Sequence, residues 1–425
     1  MNDFFKSFQD FFSILKATGQ VFSHIWFIIL PVAFYYLFKI IWLDFIQGQY
    51  AKTIPYVLLE IIPPRDIEKS PKLMESVFSG MAGVHTTLNS VEIYAEGKFI
   101  DKFSLELVSI EGSVHFYVRV PVRFRNLMEA NIYAQYPDAE IVEVDDYANN
   151  VPKIIPNRDW NLWGTDFELG KPDPYPIRTY RLFEEDITGT MIDPLSSLVE
   201  TMGKLGPGQQ IWLQYVIVPE GEVAWYKKNK VFVEEFAGRV KKGEGFFSDL
   251  WSDVGDIFSG VLPAIFGPVE FGGREQEKEE APLEFRLTPV EKDILKALEN
   301  NVGRNQFKTK MRFVYLGRRE NFDKSFVSSF VGGIKQFNDM NLNSFKPNDQ
   351  SKTYAEFVIR EPRLRYRQRK IFRRFKDRNT DGKKFYLSTE ELATVYHLPD
   401  MSVVAPSVTR VEAKRGGAPA NLPVG

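Results

Sequence analysis

The chain has 425 residues, of which 44% are hydrophobic and 26% are charged, and its formal net charge is −2. This length and composition predict two or three folded units and exclude a collagen, a multi-span carrier and a wholly disordered chain. With no cysteine and only four histidines, the sequence offers no disulfide, thiolate metal site or histidine cage. We therefore expect no metal and no cofactor. The near balance of acidic and basic residues limits any nucleic-acid-binding surface to a local patch.

An uncharged run near the N-terminus is the first functional feature of the sequence. Between Lys16 and Lys39 there is no Asp, Glu, Lys or Arg. Because roughly 20 residues of helix cross a bilayer core, the run predicts a retained transmembrane helix over 21–46. Residues 1–20 carry Phe and Leu at spacings of three and four, which is typical of an amphipathic helix on the bilayer surface. More basic residues follow the span than precede it, which predicts a single-pass plasma-membrane protein with its main body in the cytoplasm.

The first part of the soluble body, residues 52–150, contains six predicted elements. They are a strand at Tyr56–Ile62, a helix from Ser70, strands at 103–110 and 114–120, a helix at 122–135 and a strand at 140–144. The two middle strands are joined by Glu-Gly-Ser, which is typical of a hairpin. The order β-α-β-β-α-β predicts a ferredoxin-like sandwich.

A second ferredoxin-like unit is predicted at 177–359, after a linker at 151–176 that is rich in Pro, Asn and Trp. Its first strand is predicted at Ile177–Phe183, and an insertion at about 220–303 interrupts it. The insertion contains an apolar stripe at 246–258. We expect this stripe to pack on its own domain, and docking on a bilayer or a partner is the alternative.

Two further segments complete the predicted organisation. Residues 360–399 predict a basic helix followed by a helix with a capping box, and residues 400–425 predict an extended tail. The predicted fold class is therefore α+β, with a transmembrane helix, two tandem ferredoxin-like units and a C-terminal basic helix.

The sequence contains no motif of nucleophilic or metal-assisted catalysis. Its nearest approach to a P-loop carries Gln209 where the phosphate-binding lysine is required, and it predicts a turn. Residues Asp377–Gly382 match the start of a calcium-binding loop, but Ser388 replaces the glutamate at its twelfth position, which again favours a turn. We expect no catalytic residues and a protein that is not an enzyme.

A local excess of positive charge lies at 360–378, where ten residues are basic and two are acidic. Guanidinium groups bind phosphates bidentately, so the candidate binding residues are the arginines. They are Arg363, Arg365, Arg367, Arg369, Arg373 and Arg374. Three interpretations stay open at this point: a nucleic-acid site, a site for anionic lipid or an acidic partner, and a solvated helix.

Two stretches near the C-terminus carry a resemblance to a known family. Leu387–Pro399, with Ser-Thr-Glu-Glu-Leu-Ala and His-Leu-Pro, and Ala418–Pro423 resemble the segment before the motor in conjugation-type, type IV secretion-like ATPases of the HerA/FtsK superfamily. Leu105–Ile110, His115–Val120 and Tyr133–Ile141 are similar to the N-terminal, non-motor region of such proteins. The motor would begin where this sequence ends, and no Walker lysine is present. We therefore expect no ATP hydrolysis.

The resemblance implies a membrane-anchored, non-catalytic scaffold or docking subunit of a type IV secretion or conjugation-like export apparatus. Its expected partners are membrane lipid and a separately encoded P-loop ATPase of the HerA/FtsK type, with which it would be oligomeric, and DNA is a further candidate. The implied motor-docking motif is Glu390, Glu391, His397 and Pro399, although a helix cap is the preferred role of His397. The alternative is a membrane-bound nucleic-acid-binding protein that uses the basic segment.

Overall fold

The computed structural model describes residue 27 and residues 30–64, 70–183, 193–238, 287–357 and 359–399. The predicted surface helix at 1–20, the apolar stripe at 246–258 and the tail at 400–425 lie outside the described residues. The chain divides into two compact units. One comprises Met1–Pro55 with Thr87–Ile100, and the other comprises Tyr56–Thr86 with Asp101–Gly425.

The first unit is built on a long apolar helix, α1 (Leu30–Thr53), whose mean hydropathy is 1.3. It is long and apolar enough to cross a membrane, which is typical of an anchor and also of a signal sequence. A short helix, α3 (Ser90–Tyr94), packs against it, and the Trp42 indole donates a hydrogen bond to the Tyr94 carbonyl at 2.8 Å. Gly97 has φ of 70°, and a Cβ there would lie 2.6 Å from the Ile46 backbone. This close approach requires glycine.

The second unit contains one antiparallel sheet and its covering helices. Its strands are β1 (Tyr56–Ile62), β2 (Phe103–Ile110), β3 (Ser113–Pro121), β4 (Glu140–Val144), β5 (Trp160–Leu169), β6 (Gln209–Pro219), β7 (Gln306–Arg318), β8 (Phe345–Pro347) and β9 (Phe385–Ser388). Its helices are α2 (Ser70–Ala82), α4 (Arg125–Gln135), α5 (Ser196–Gly203), α6 (Glu222–Phe236), α7 (Pro289–Val302), α8 (Ser325–Ile334), α9 (Arg360–Lys376) and α10 (Thr389–Val395). The predicted α+β class is confirmed.

The nine strands follow the order β4-β1-β3-β2-β6-β7-β5-β8, and β9 pairs with the first part of β7. The order of the second half mirrors that of the first. Pairing of β2 with β6, with Leu107 opposite Leu213, joins the strands of the two predicted domains into a single sheet. The element order β1-α2-β2-β3-α4-β4 agrees with the order read from the sequence. Membership of the ferredoxin-like class stays a prediction.

The two faces of the sheet are covered differently. On one face, α2, α4, α5, α8 and α10 bury a continuous apolar core that contains Phe78, Met128, Leu198, Phe330 and Leu392. On the other face, a smaller apolar cluster forms where α9 packs on the sheet. The second face carries Glu106, Gln214 and Arg312, which contact α9 and the residues that follow it.

Two sequence predictions around the second unit are wrong. The predicted linker at 151–176 contains strand β5, and Ile177–Phe183 is not a strand but a loop that ends in a 3-10 turn at Tyr180–Phe183. The loop does not need a strand partner, because Glu391 and Thr394 side chains accept hydrogen bonds from the backbone N–H groups of Ile177 and Tyr180, each at 2.9 Å. Helices α6 and α7 lie within the predicted insertion, between β6 and β7.

Candidate nucleic-acid interface

Helix α9 is fixed to the sheet by one apolar side. Ile371, Phe372 and Phe375 are buried there, and the Phe372 and Phe375 rings pack on the Trp212 ring at centroid distances of 6.2 and 5.3 Å. The Gln368 amide donates a hydrogen bond to the Leu162 carbonyl at 2.6 Å. Because these residues recur at helical spacing, the remaining sides of the helix are free to carry charge.

The C-terminal end of α9 is capped by side chains from the sheet. Arg312 on β7 donates to the Arg374 carbonyl at 2.8 Å and to the Asn379 carbonyl at 3.0 Å, and Gln214 on β6 donates to the Phe375 carbonyl at 3.2 Å. The last carbonyls of a helix lack internal partners and carry partial negative charge. The buried Arg312 guanidinium supplies both hydrogen-bond donors and a positive charge at this position, so it fixes the end of the helix.

A second buried guanidinium, Arg378, follows the helix and is locked into the sheet. It donates to both carboxylate oxygens of Glu106, at 2.9 and 3.0 Å, and also pairs with Asp146. Burial alone would raise the pKa of Glu106. The Arg378 charge, with hydrogen bonds from Ser104 and Tyr147, outweighs burial and lowers that pKa to about 2. Arg378 is thus a structural residue, unlike the other basic residues of the segment.

The six candidate arginines of α9 lie outside these anchors. Within the part of the chain that the structure describes, no carboxylate lies within ion-pair distance of Arg363, Arg365, Arg367, Arg369, Arg373 or Arg374. The partners of Arg363 and Arg367 among the described residues are backbone carbonyls. Exposed guanidinium groups without carboxylate partners keep their full affinity for an external anion.

Two neighbouring grooves run along one flank of the helix and share Arg369. One, of about 450 Å³, contains Arg158, Arg319 and Arg365, and the other, of about 440 Å³, contains Lys153, Arg373 and Lys376. Lys370 and the exposed ring of Tyr366 also line the second groove, where Asp377 is the acidic lining residue. We call the two grooves together the cationic channel. It combines a row of guanidinium groups with an aromatic ring, the combination that binds a single nucleic-acid strand.

Three of the channel residues escaped prediction from the sequence. Lys153 and Arg158 lie in the segment before β5, and Arg319 follows β7. Lys153 and Arg158 are isolated basic residues, and Arg319 belongs to a single Arg318-Arg319 pair, so no run of basic residues singles them out. Sheet pairing of β5 with β7 brings them to the flank of α9.

The predicted motor-docking residues occupy the core instead of a surface. Glu390, Glu391, His397 and Pro399 are all buried. Glu390 pairs with Arg304 and, at 3.3 Å, with Arg181. The His397 ring nitrogens lie 2.8 Å from the Ala393 carbonyl and 3.0 Å from an Asp193 carboxylate oxygen. Through these hydrogen bonds, His397 links α10 to the segment before α5.

Glu391 completes a capping box at the start of α10. Its carboxylate accepts hydrogen bonds from the Ser388 and Ile177 backbone N–H groups, each at 2.9 Å. Burial raises the pKa of Glu391 to about 7 in spite of these hydrogen bonds. The capping box predicted from the sequence is present, with Ser388 as the capping residue.

The Asp377–Gly382 segment forms a turn in which Asn379 and Asp381 bond to each other, at 2.7 and 3.0 Å. Across the described ranges, no group of three or more His, Asp or Glu side chains is arranged to hold a metal ion.

Comparison with known proteins places the chain in a family. No curated protein matches it, so the resemblance to HerA/FtsK-type proteins stays a prediction. A family described as "Domain of unknown function (DUF8128)" matches residues 48–411, which includes the whole sheet, the cationic channel and α10. The chain therefore belongs to this family.

Proposed function

We propose that the protein is a membrane-anchored, non-catalytic subunit that holds a nucleic-acid strand in its cationic channel. The observation that supports this function most directly is the set of α9 arginines that have no carboxylate partner among the described residues. A helix with such unbalanced charge, held at a fixed position by buried anchors, presents a preorganised row of phosphate ligands.

The chemistry of the channel favours a single strand. Eight of its lining side chains are basic: Lys153, Arg158, Arg319, Arg365, Arg369, Lys370, Arg373 and Lys376. Tyr366, which is 64% exposed, lies among them. Bases stack on exposed aromatic rings while the backbone follows the positive groove, and neither contact depends on sequence. We expect affinity without sequence preference.

The proposed setting is a membrane. Helix α1 acts as a retained anchor of a single-pass plasma-membrane protein, with the second unit in the cytoplasm, where nucleic acid is present. The resemblance adds a type IV secretion or conjugation-like export apparatus and a separately encoded P-loop ATPase as the partner. Since Glu390, Glu391 and His397 are buried, that ATPase would have to dock on other residues.

The test is the salt dependence of oligonucleotide binding by the full chain in lipid nanodiscs, measured by fluorescence anisotropy. For single strands, log K falls by about 0.7 per neutralised phosphate for each log unit of salt. The triple variant Arg365→Gln, Arg369→Gln, Arg373→Gln should therefore lower the magnitude of this slope by about 2. The matched control, Lys292→Gln, Lys296→Gln, Lys324→Gln, removes the same charge from exposed positions on α7 and before α8.

The control should keep the wild-type slope. Equal slopes for the wild type and the triple variant would refute nucleic-acid binding in the channel.

Anionic lipid is the second candidate ligand of the arginines. The observation that supports it is the exposure of two apolar side chains beside α9: Phe357 is 87% exposed and Ile359 is 65% exposed. Both have left-handed backbone angles, which is rare for a branched residue such as Ile. Loss of binding to phosphatidylserine vesicles, with oligonucleotide binding unchanged, would assign the arginines to lipid.

A further inference from the structure

A second cationic cavity lies beside α9, and it shares Lys370 with the cationic channel. It has a volume of about 170 Å³ and is lined by Arg367, Lys370 and Arg374 of the helix, by Asn348, Gln350 and Ser351, and by Gly382 and Lys383. Lys310 and Asp166, from β7 and β5, form its floor. We call it the Lys310 pocket.

The floor of this pocket contains more positive than negative charge. The Asp166 carboxylate forms ion pairs with Lys310 and with Arg312, each at 2.9 Å. All three side chains are at most 4% exposed. One carboxylate therefore faces two buried cations. Burial lowers the pKa of Lys310, against the attraction of Asp166, and the Arg312 and Arg374 charges lower it further.

Glu168 and the carbonyls at the end of α9 already have cationic partners. Glu168 pairs with Lys383, which lines the pocket, at 3.2 Å and with Lys346, which does not, at 3.4 Å. The carbonyls at the end of α9 accept from Arg312, as described above, and offset part of its charge. The Lys310 ammonium also donates a hydrogen bond to the Lys383 carbonyl at 2.9 Å, whereas no carboxylate of the described residues pairs with Arg374.

The open side of the pocket adds positive charge. In the described structure, Arg374 and Lys370 have no carboxylate within ion-pair distance, and Lys370 lies only over the Tyr366 ring. Gly382 has φ of 91°, and a Cβ there would lie 3.5 Å from the Lys310 ammonium. Glycine thus keeps the entrance to the ammonium free of a side chain. Buried positive charge in excess of its protein partners is stabilised by an anion.

We propose that the Lys310 pocket binds a phosphate group, held by Lys310 below and by Arg374 and Lys370 at the side. A phosphate offers several acceptor oxygens, which suits a guanidinium and two ammonium groups that converge from different directions. The group belongs to a terminal phosphate monoester, carried either by a nucleic-acid end or by a lipid headgroup such as that of phosphatidic acid. This site goes beyond the proposed function, because Lys310 and Arg374 do not line the cationic channel, although Lys370 lines both cavities.

The experiment is titration calorimetry of the full chain in detergent with inorganic phosphate, with sodium chloride at equal ionic strength in the reference. We expect saturable binding at one site, weakened about tenfold in Arg374→Gln, since one charge-assisted contact is lost. The matched control Arg373→Gln changes the neighbouring residue, which lines the channel, and should bind phosphate as the wild type does. Lys310→Met should abolish binding.

Absence of saturable phosphate binding in the wild type would overturn the proposal. So would equal weakening in Arg374→Gln and Arg373→Gln, which would indicate general screening by the helix. Arg374→Gln keeps the test valid if Lys310→Met does not fold, because Arg374 is only partly buried. Two further titrants, a 5′-phosphorylated dinucleotide and a short-chain phosphatidic acid, identify the source of the phosphate group. The source is the titrant whose binding Arg374→Gln weakens. Failure of the channel triple variant to affect oligonucleotide binding would leave these phosphate results unchanged.

Discussion

Helices α9 and α10 are close in the chain and both are rich in charge, yet their charges are used in opposite ways. On α10, the buried Glu390 pairs with two arginines, and the buried Glu391 accepts hydrogen bonds from two backbone groups. On α9, the candidate arginines reach outward with no carboxylate partner among the described residues. The comparison separates charges that hold the fold together from charges that are available to a ligand.

The largest expected effect is on the buried pair that anchors the end of α9. Arg378→Met removes the cation that faces Glu106, whose side chain is fully buried. A buried carboxylate without its partner typically costs about 3–5 kcal/mol. We expect a loss of this size in the free energy of unfolding, measured by urea titration and tryptophan fluorescence, because Trp212 packs on α9.

Two controls sharpen this result. Arg373→Met makes the same chemical change at an exposed position on α9, five residues before Arg378, and should alter stability by less than about 0.5 kcal/mol. The double variant Glu106→Met, Arg378→Met removes both charges and should recover part of the loss. If Arg378→Met were no more destabilising than Arg373→Met, the division between structural and available charge would be wrong.

The second effect is the pH dependence that Glu391 introduces. Its pKa rises from 4.5 to about 7 in the folded protein. A raised folded-state pKa gives stability that is fully present below the unfolded value and is lost as pH rises through the folded value. A shift of this size corresponds to roughly 3 kcal/mol, so stability should fall between pH 4.5 and 7. Glu391→Gln should flatten this part of the profile, while the exposed Glu361→Gln should leave it as in the wild type.

The pH dependence of stability separates the contribution of Glu391 from that of the Glu106–Arg378 pair. The pKa of Glu106 is lowered to about 2, so its contribution is present above the unfolded value and is lost only as pH falls below that window. Urea titrations at several pH values provide the measurement. An unchanged slope in Glu391→Gln would mean that its hydrogen bonds from Ser388 and Ile177 keep the carboxylate charged in the folded protein.

Much of the first half of the sheet could be predicted from local pattern. Strands β1 and β2 and the start of α2 lie where the local runs of apolar residues and the Ser70-Pro71 pair predict them. Strand β5 was missed because its Asn161, Gly164 and Asp166 weaken the strand pattern. Asp166 belongs there for a tertiary reason, since it is buried against Lys310 and Arg312 of the neighbouring strand.

The candidate site could be predicted only in part, for a similar reason. The density of arginine in α9 is visible in the sequence, whereas Arg158 and Arg319 reach the channel only through strand pairing. Likewise, Ile177–Phe183 has strand-like composition, but Glu391 and Thr394, which are far away in sequence, satisfy its backbone. Local pattern finds elements and charge density, and long-range pairing decides which charges are neutralised.

The smallest expected effect concerns the cost of leaving the α9 arginines unpaired. Arg365, Arg369 and Arg373 follow one another at intervals of four residues, so their side chains are neighbours along one flank of the helix. Like charges at this spacing destabilise a helix by about 0.2–0.5 kcal/mol per pair. Arg369→Gln removes the middle charge and both repulsions, so it should raise the urea midpoint slightly at low salt while it weakens oligonucleotide binding. The gain should disappear in 1 M salt, where exposed charges are screened over about 3 Å. A substitution that stabilises the protein and weakens its ligand binding is the expected signature of charge kept for function, whereas a solvated helix would gain stability with no change in binding.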